Sequence, residues 1–332
     1  MLSRILSLLR FTTSLSKFCQ ARGNIFLFRL LPFRLSRWYL GLLGSVYFFC
    51  NAQEKRLIRR TARHVLGRGS VPGSVRKTIR RIFQGIIDHY HEKLYLAYSH
   101  FPRLLRFLDR RISLEGEAEL QAALAQGRGV ILVTGHFGAV EFLPGALAVK
   151  GYPVSMICRF QTNRLKETLL KRAQAVGMDI IDATGGNVFL AAVKALKSGR
   201  ILITEADEFE EWRPQEHAQV TFLKSRLPAD KTLELLKKRS GAPVLTGLVH
   251  RLGGRRYALR FTPVAEAGTA EASQVSPRCL AVLEKAVLAE PHLWYQWKKF
   301  GAMIAAELEA ADDHREVGYL APEVAVSLPL QA

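Results

Sequence analysis

With 332 residues and 48% hydrophobic content, the chain is long enough for one large domain with a sizeable core, and a mean hydropathy of +0.04 excludes a polytopic membrane protein. Cysteines at positions 19, 50, 158 and 279 show neither metal-ligand spacing nor a pairing pattern, which points to a reducing compartment and no metal. The net charge of +19 sits at one end: residues 1–112 carry 22 Lys and Arg against 4 Asp and Glu, whereas the remainder carries 26 against 25.

In that N-terminal third, the basic residues are interleaved with apolar runs, Ile25 to Leu31 and Trp38 to Phe49, and no zinc, RNP or helix-turn-helix signature accompanies them. An anionic membrane surface is therefore the expected partner, and nucleic acid is set aside. The run at 38–50 is too short to span a bilayer, and extending it back to Ile25 brings in Arg29, Pro32, Arg34 and Arg37. A monotopic or weakly inserted segment is expected, with its positive flanks on the cytoplasmic side. No A-x-A-like site follows a clean apolar core, so a signal peptide is a poor fit. Gly67 to Gly73, with Pro72, reads as a break. Beyond it, Ile79, Ile82, Phe83, Ile86, Ile87 and Tyr90 follow helical spacing, with Arg76, Lys77, Arg80 and Arg81 on other faces. This basic amphipathic helix either packs its stripe on the core or contacts the membrane. Pro102 interrupts the aromatic and basic stretch from Tyr90 to Ile112.

From Glu117 the pattern alternates. Helix 117–126 precedes strand 129–134, helix 140–149 precedes strand 153–158, and helix 162–176 ends at Gly177 before strand 179–182. A helix capped by Asn187 ends at Gly199, strand 200–205 follows, and helix 230–239 ends at Gly241 before strands 243–249 and 256–262. Helices alternating with short β-branched strands predict an α/β fold, a mixed, largely parallel sheet flanked by helices. Three parts follow: a basic helical docking region at 1–112, an α/β domain at 113–308, and a loosely held tail at 309–332.

The most informative stretch is Gly129 to Glu141, a buried strand running into a glycine-bracketed turn and then a helix. Open α/β sheets place their chemistry where such a strand ends. His136 and Glu141 are too far apart in angle to meet on one continuous helix. With the histidine in the turn and the glutamate in the first helical turn they can meet, and a carboxylate on one imidazole nitrogen makes the other a general base. Gly135 and Gly138 suit close approach of a substrate, with backbone N–H donors near Gly138 for an oxyanion. Arg159, just past its strand, is a candidate for a phosphate or carbonyl oxygen, a surface salt bridge being the alternative. Asp207 follows the strand ending near Thr204 and can reach the same edge. The rest of the acidic run Glu205 to Glu211 reads as a solvated loop, with Glu205 open to either reading. Neither a GxGxxG or Walker spacing nor a G-x-S-x-G elbow is present.

Gly-His-Phe-Gly-x-x-Glu at 135–141 resembles the His-x4-Glu motif of the bacterial lipid A late acyltransferases, within the larger lysophospholipid acyltransferase superfamily. Leu114 to Gly151 is similar to that family throughout. Arg159 and Asn163, Arg172, Leu196 to Gly199, Asp207, Phe222, Ser240 to Val244 and the Pro291 to Phe300 block fall in family-like order. The chain departs from the family at Ala139-Val140, where Asn-Trp is usual, and at Asp207-Glu208, where Asp-Gln is usual.

The resemblance implies an O-acyltransferase that takes an acyl chain from an acyl carrier protein thioester to a lipid A precursor, without a cofactor, on the cytoplasmic face of the inner membrane. In that reading His136 is the base, Glu141 orients it, and Gly138, Arg159, Asn163 and Asp207 meet substrate. The same chemistry on a lysophospholipid or other glycolipid, and a non-catalytic membrane-surface protein, stay open.

Overall fold

The computed structural model describes residues 15–309 apart from 68–73, 161, 210–211 and 267–273. All but the first residue of the tail expected at 309–332, and nearly all of the Gly67–Gly73 break, lie outside the described residues.

Among the described residues, six helices precede the first strand: α1 (Leu15–Cys19), α2 (Arg22–Leu30), α3 (Phe33–Cys50), α4 (Ala52–Val65), α5 (Val75–Tyr98) and α6 (Phe101–Arg111). Prolines punctuate them. Leu31 is extended ahead of Pro32, which ends α2 and leads into α3, because a residue before proline avoids the helical region. Pro102 lies in the first turn of α6, where its missing N–H is not needed; it starts a helix where an interruption was expected.

Helix α5 is the spine of this half. It buries Ile79, Ile82, Ile86 and Ile87 while Arg76, Lys77, Arg80 and Arg81 stay exposed, so the amphipathic stripe packs on the core. Gly85 permits this seating, since a Cβ there would stand 1.7 Å from the carbonyl oxygen of His292. One hydrophobic cluster runs from Leu15 through the sheet to Leu308; the N-terminal helices share the core of the domain they precede.

The main sheet takes β1 (Ile112–Glu115), β2 (Val130–Thr134), β3 (Val154–Cys158), β4 (Asp179–Asp182) and β5 (Ile201–Glu205). Helices α7 (Glu117–Ala125), α8 (Leu143–Val149), α9 (Asn163–Gln174) and α10 (Val188–Lys197) lie between them, α8 entered through a 3₁₀ turn at Val140–Phe142. A separate hairpin, β6 (Pro214–Phe222) and β7 (Ser225–Asp230), precedes α11 (Thr232–Ser240), and the main sheet closes with β8 (Val244–Gly253) and β9 (Arg256–Ala265). Then come α12 (Val275–Ala289), a 3₁₀ turn at Pro291–Leu293, and α13 (Trp297–Met303).

The seven-strand order is β1-β9-β8-β2-β5-β3-β4, with parallel pairing throughout except between β8 and β9. This is the mixed, largely parallel sheet expected. All five residues of β2 are buried, which is why it reads as an unbroken apolar run: helices cover both faces of a central parallel strand. Among the strands, β1 and the β6–β7 hairpin were not foreseen. β1 is a four-residue strand pairing with β9, too short for a periodic signal. The β6–β7 hairpin turns at Leu223 and Lys224, with φ of 49° and 71°, so the glycine or asparagine that usually marks such a turn is missing. Among the described residues, no helix is long and apolar enough to cross a membrane.

Candidate active site

Strand register builds the site. β2 and β5 pair in parallel with Thr134 opposite Glu205, and the Ala206 N–H donates to the Thr134 carbonyl at 2.8 Å. Two residues further along each chain, His136 and Asp207 emerge side by side. Their spacing is set by the sheet, with loop sequence playing no part.

Asp207 is fully buried and chelates the turn around His136. Its carboxylate accepts the His136 backbone N–H at 3.0 Å and lies 2.9 Å from the ring Nδ1. The indole Nε1 of Trp294 donates to Asp207 Oδ2 at 2.7 Å. Trp294 is held in turn by a bridge to Phe137, and the Tyr295 N–H donates to the His136 carbonyl at 3.1 Å. A buried carboxylate satisfied by three N–H groups stays ionised and fixes which imidazole nitrogen carries a proton. Burial works against the Asp207 charge, yet His136 and the Trp294 N–H hold its carboxyl below the usual range. The aromatic block at 294–300 is therefore interior: Trp294, Trp297 and Phe300 have no exposure, and membrane-interface anchoring is not available to these three side chains.

The other imidazole nitrogen faces acid. His136 Nε2 is 3.5 Å from Glu205 and 3.4 Å from Glu208. Burial opposes a charge on the ring, but Glu205, Asp207 and Glu208 together push it up to about 9. Glu205 itself is driven up to about 7 by burial, against the pull of His136 and with help from Asp207 and Glu208. Glu208 also bonds Lys299 at 2.7 Å. The acidic run expected to be a solvated loop thus supplies two carboxylates to the site beyond Asp207. One nitrogen of His136 and one oxygen of each glutamate lie within 4.8 Å of one another, a donor set and spacing that suit a divalent cation. The proton on the ring and the ammonium on Glu208 compete with such an ion.

Glu141 does not hold the imidazole. Its partners are Lys93 Nζ at 3.3 Å and His89 Nε2 at 3.6 Å, both from α5. The orienting contact assigned to it from sequence belongs to Asp207, because the β2–β5 register, invisible in one stretch of chain, brings Asp207 to Nδ1. Burial disfavours a charged Lys93, but Glu141 outweighs it and keeps the ammonium above its usual range. Tyr295 completes the wall, stacked on His89 with ring centroids 3.4 Å apart and edge-on to His136 at 5.1 Å.

Gly138 is also reassigned. Its N–H donates to the Leu293 carbonyl at 2.7 Å, and the neighbouring Phe137 and Ala139 N–H groups go to Gly135 and Val249. These donors are spent on the fold and do not form an oxyanion hole. A Cβ at Gly138, where φ is +61°, would meet the Val249 carbonyl oxygen at 1.6 Å, so the glycine admits strand β8 and no substrate. The Gly138 carbonyl accepts from Arg251 Nη2 at 2.6 Å, and Arg251 grips Glu92 of α5 through Nε and Nη2 at 2.8 and 2.7 Å. One turn earlier on α5, Asp88 takes two bonds from Arg37 of α3 at 2.7 and 2.8 Å. Arg159 is exposed just past β3, and Asn163 is exposed at the start of α9; neither is among the described contacts of His136.

Glu141 borders an apolar cavity of about 90 Å³ beneath α6, lined by residues such as Leu96, Leu108, Met156, Leu169 and Ile180, with Arg172 as its other charged member. Cys158 also lines it, and burial pushes that thiol far above its ordinary range, which leaves no ready thiolate nucleophile. An imidazole with an ionised partner on one side, acid on the other and an apolar cavity nearby suits proton removal from a hydroxyl beside an acyl chain. A comparison with curated proteins finds no match. The model of the bacterial lipid A biosynthesis acyltransferases matches residues 15–299, and the chain belongs to that family and is an acyltransferase.

Proposed function

We propose that the protein transfers a fatty acyl chain from an acyl carrier protein thioester to a hydroxyl of a lipid A precursor at the cytoplasmic face of the inner membrane. The observation that carries the mechanism is the Trp294–Asp207–His136 chain of hydrogen bonds, which makes Nε2, beside Glu205 and Glu208, the nitrogen that takes the proton. Neutral His136 takes the hydroxyl proton at Nε2 as the oxygen attacks the thioester carbonyl. Asp207 stabilises the imidazolium that forms, and Lys93, held by Glu141, supplies positive charge for the oxyanion. The tetrahedral intermediate collapses with loss of the thiolate, which takes the proton from the imidazolium, leaving a new ester and a free thiol. The apolar cavity bordered by Glu141 accommodates an acyl chain.

Membrane docking is supported by an exposed apolar face on α2 and α3. Leu35, Trp38, Leu42, Val46 and Phe49 recur at helical spacing, exposed by 43% or more, while Ser36, Leu40, Gly44, Tyr47 and Phe48 face inward. Phe26, Leu27 and Leu30 extend the patch. Basic residues around it suit anionic headgroups, and the acidic carrier protein suits the same charge.

The test is mass spectrometry of lipids after incubation of the protein, or its His136→Ala variant, with carrier thioesters and a panel of lipid A precursor and lysophospholipids. A His136-dependent mass gain on the precursor is expected. A gain only on another lipid replaces the acceptor, and no gain on any lipid removes the catalytic reading.

A further inference from the structure

We infer that Arg29, Arg164 and Arg172, with the hydroxyls of Tyr98 and Ser99, form a binding site for a phosphate group carried by a substrate. The site deepens the transfer reading by naming a chemical group that it holds, and its geometry stands independently of that reading.

Three elements meet there: α2 brings Arg29, the C-terminal end of α5 brings Tyr98 and Ser99, and α9 brings Arg164 and Arg172. Arg29 Cζ lies 5.6 Å above the Tyr98 ring. Arg172 donates through Nη1 and Nη2 to the Leu96 and Ser99 carbonyls at 2.5 Å each, and its Cζ lies 5.3 Å above the Phe101 ring. The Tyr98 hydroxyl senses the charges of both Arg164 and Arg29, and Arg172 senses Arg29. Among the described residues, no Asp or Glu pairs with any of the three arginines. Clustering like charges without a counter-ion is unfavourable in an empty site and favourable around a bound anion.

The second observation is independent of charge. Tyr98 is only 4% exposed, and among the described residues neither its hydroxyl nor that of Ser99 has a hydrogen-bond partner. Buried hydroxyls are nearly always satisfied, so two orphans on residues that Arg29 and Arg172 contact call for an acceptor that no described residue supplies. A phosphate oxygen is such an acceptor. Arg172 and Leu96 also line the apolar cavity, so a phosphate here sits at the head of a space fit for a hydrocarbon chain. Two sources carry that chemistry: the acceptor lipid, and the phosphodiester of a carrier's pantetheine arm.

Calorimetric titration of the full chain in neutral detergent, with two matched pairs of probes, tests the site. One pair is a short-chain phosphatidic acid and the corresponding diacylglycerol; the other is phosphopantetheine and pantetheine. In at least one pair the phosphorylated probe binds tighter by about tenfold or more; the lipid pair assigns the acceptor, and the pantetheine pair the donor. The Arg29→Ala/Arg164→Ala double variant loses the preference. Tyr98→Phe weakens it while leaving the melting temperature equal or higher, because that change deletes an unsatisfied buried hydroxyl. Equal affinity within both pairs, or a preference unchanged in both variants, overturns the site. Phosphate preference in a protein that transfers no acyl chain would overturn the transfer reading and leave this one standing.

Discussion

The pocket around His136 and the outer face of α2 and α3 invert the usual rule in opposite directions. The pocket buries charge: Asp207 has no exposure, Glu205 and Glu208 stand within 3.5 Å of the His136 imidazole, and Lys93 pairs with Glu141. The outer face exposes hydrocarbon, with Trp38 at 68% and Phe49 at 67%. Each arrangement costs folding free energy, and each is kept where chemistry or contact offsets it. A single amphiphilic substrate needs both surfaces, because its reacting hydroxyl must be desolvated while its chains stay out of water.

The largest expected effect separates them. His136→Ala should lower the transfer rate by roughly 10²- to 10⁴-fold, and Asp207→Asn by a comparable factor. Circular dichroism and vesicle binding should stay unchanged, since neither residue lies on the outer face. A wild-type rate from either variant would break the assignment. Conversely, Trp38→Gln/Phe49→Gln should weaken binding to anionic vesicles by roughly a hundredfold, from about 1.5 kcal/mol or more per lost aromatic. Its rate on a detergent-dispersed substrate should hold. Vesicle binding by the intact protein should fall with added salt; flotation at low and high salt tests whether charge shares the load with hydrocarbon.

Two smaller effects sharpen the description of the pocket. Trp294→Phe removes one charge-assisted bond to Asp207 and should cost about tenfold in rate, with little change in acceptor KM. Glu205→Gln removes an anion facing Nε2, which destabilises the imidazolium and lowers the His136 value from about 9. The rising limb of the pH–rate profile, set by the neutral base, should therefore move to lower pH. Stability carries the same sign. His136 binds its proton more tightly folded than unfolded, so its contribution is complete below about 6.5 and lost as pH rises through about 9. Denaturation midpoints measured across that window should fall less in His136→Ala.

The sheet was legible because short strands with apolar centres alternate with capped helices, and His136 was legible because it follows the most buried of them. Its partner was harder to assign. Glu141 is near in sequence, but Asp207 is near in space, and only the pairing of β2 with β5 tells them apart. Glu208 was hidden in an acidic run of ordinary solvated appearance. Lys93 and His89 drew no reading from the sequence, and it is the seating of α5 that brings both to Glu141. Gly138 illustrates the reverse error: a glycine two residues from a histidine at a strand end invites a substrate, yet here it makes room for a strand.

The pairs Arg37–Asp88 and Glu92–Arg251, with the last bond from Arg251 to the Gly138 carbonyl, make α5 a strut between α3 and the turn that carries His136. Both charge pairs are two-pronged, which resists rotation as well as separation. A tilt imposed on α3 by whatever it rests against is delivered to the backbone two residues from His136. Reciprocity then applies: if docking alters the grip on substrate, substrate alters the strength of docking by the same factor.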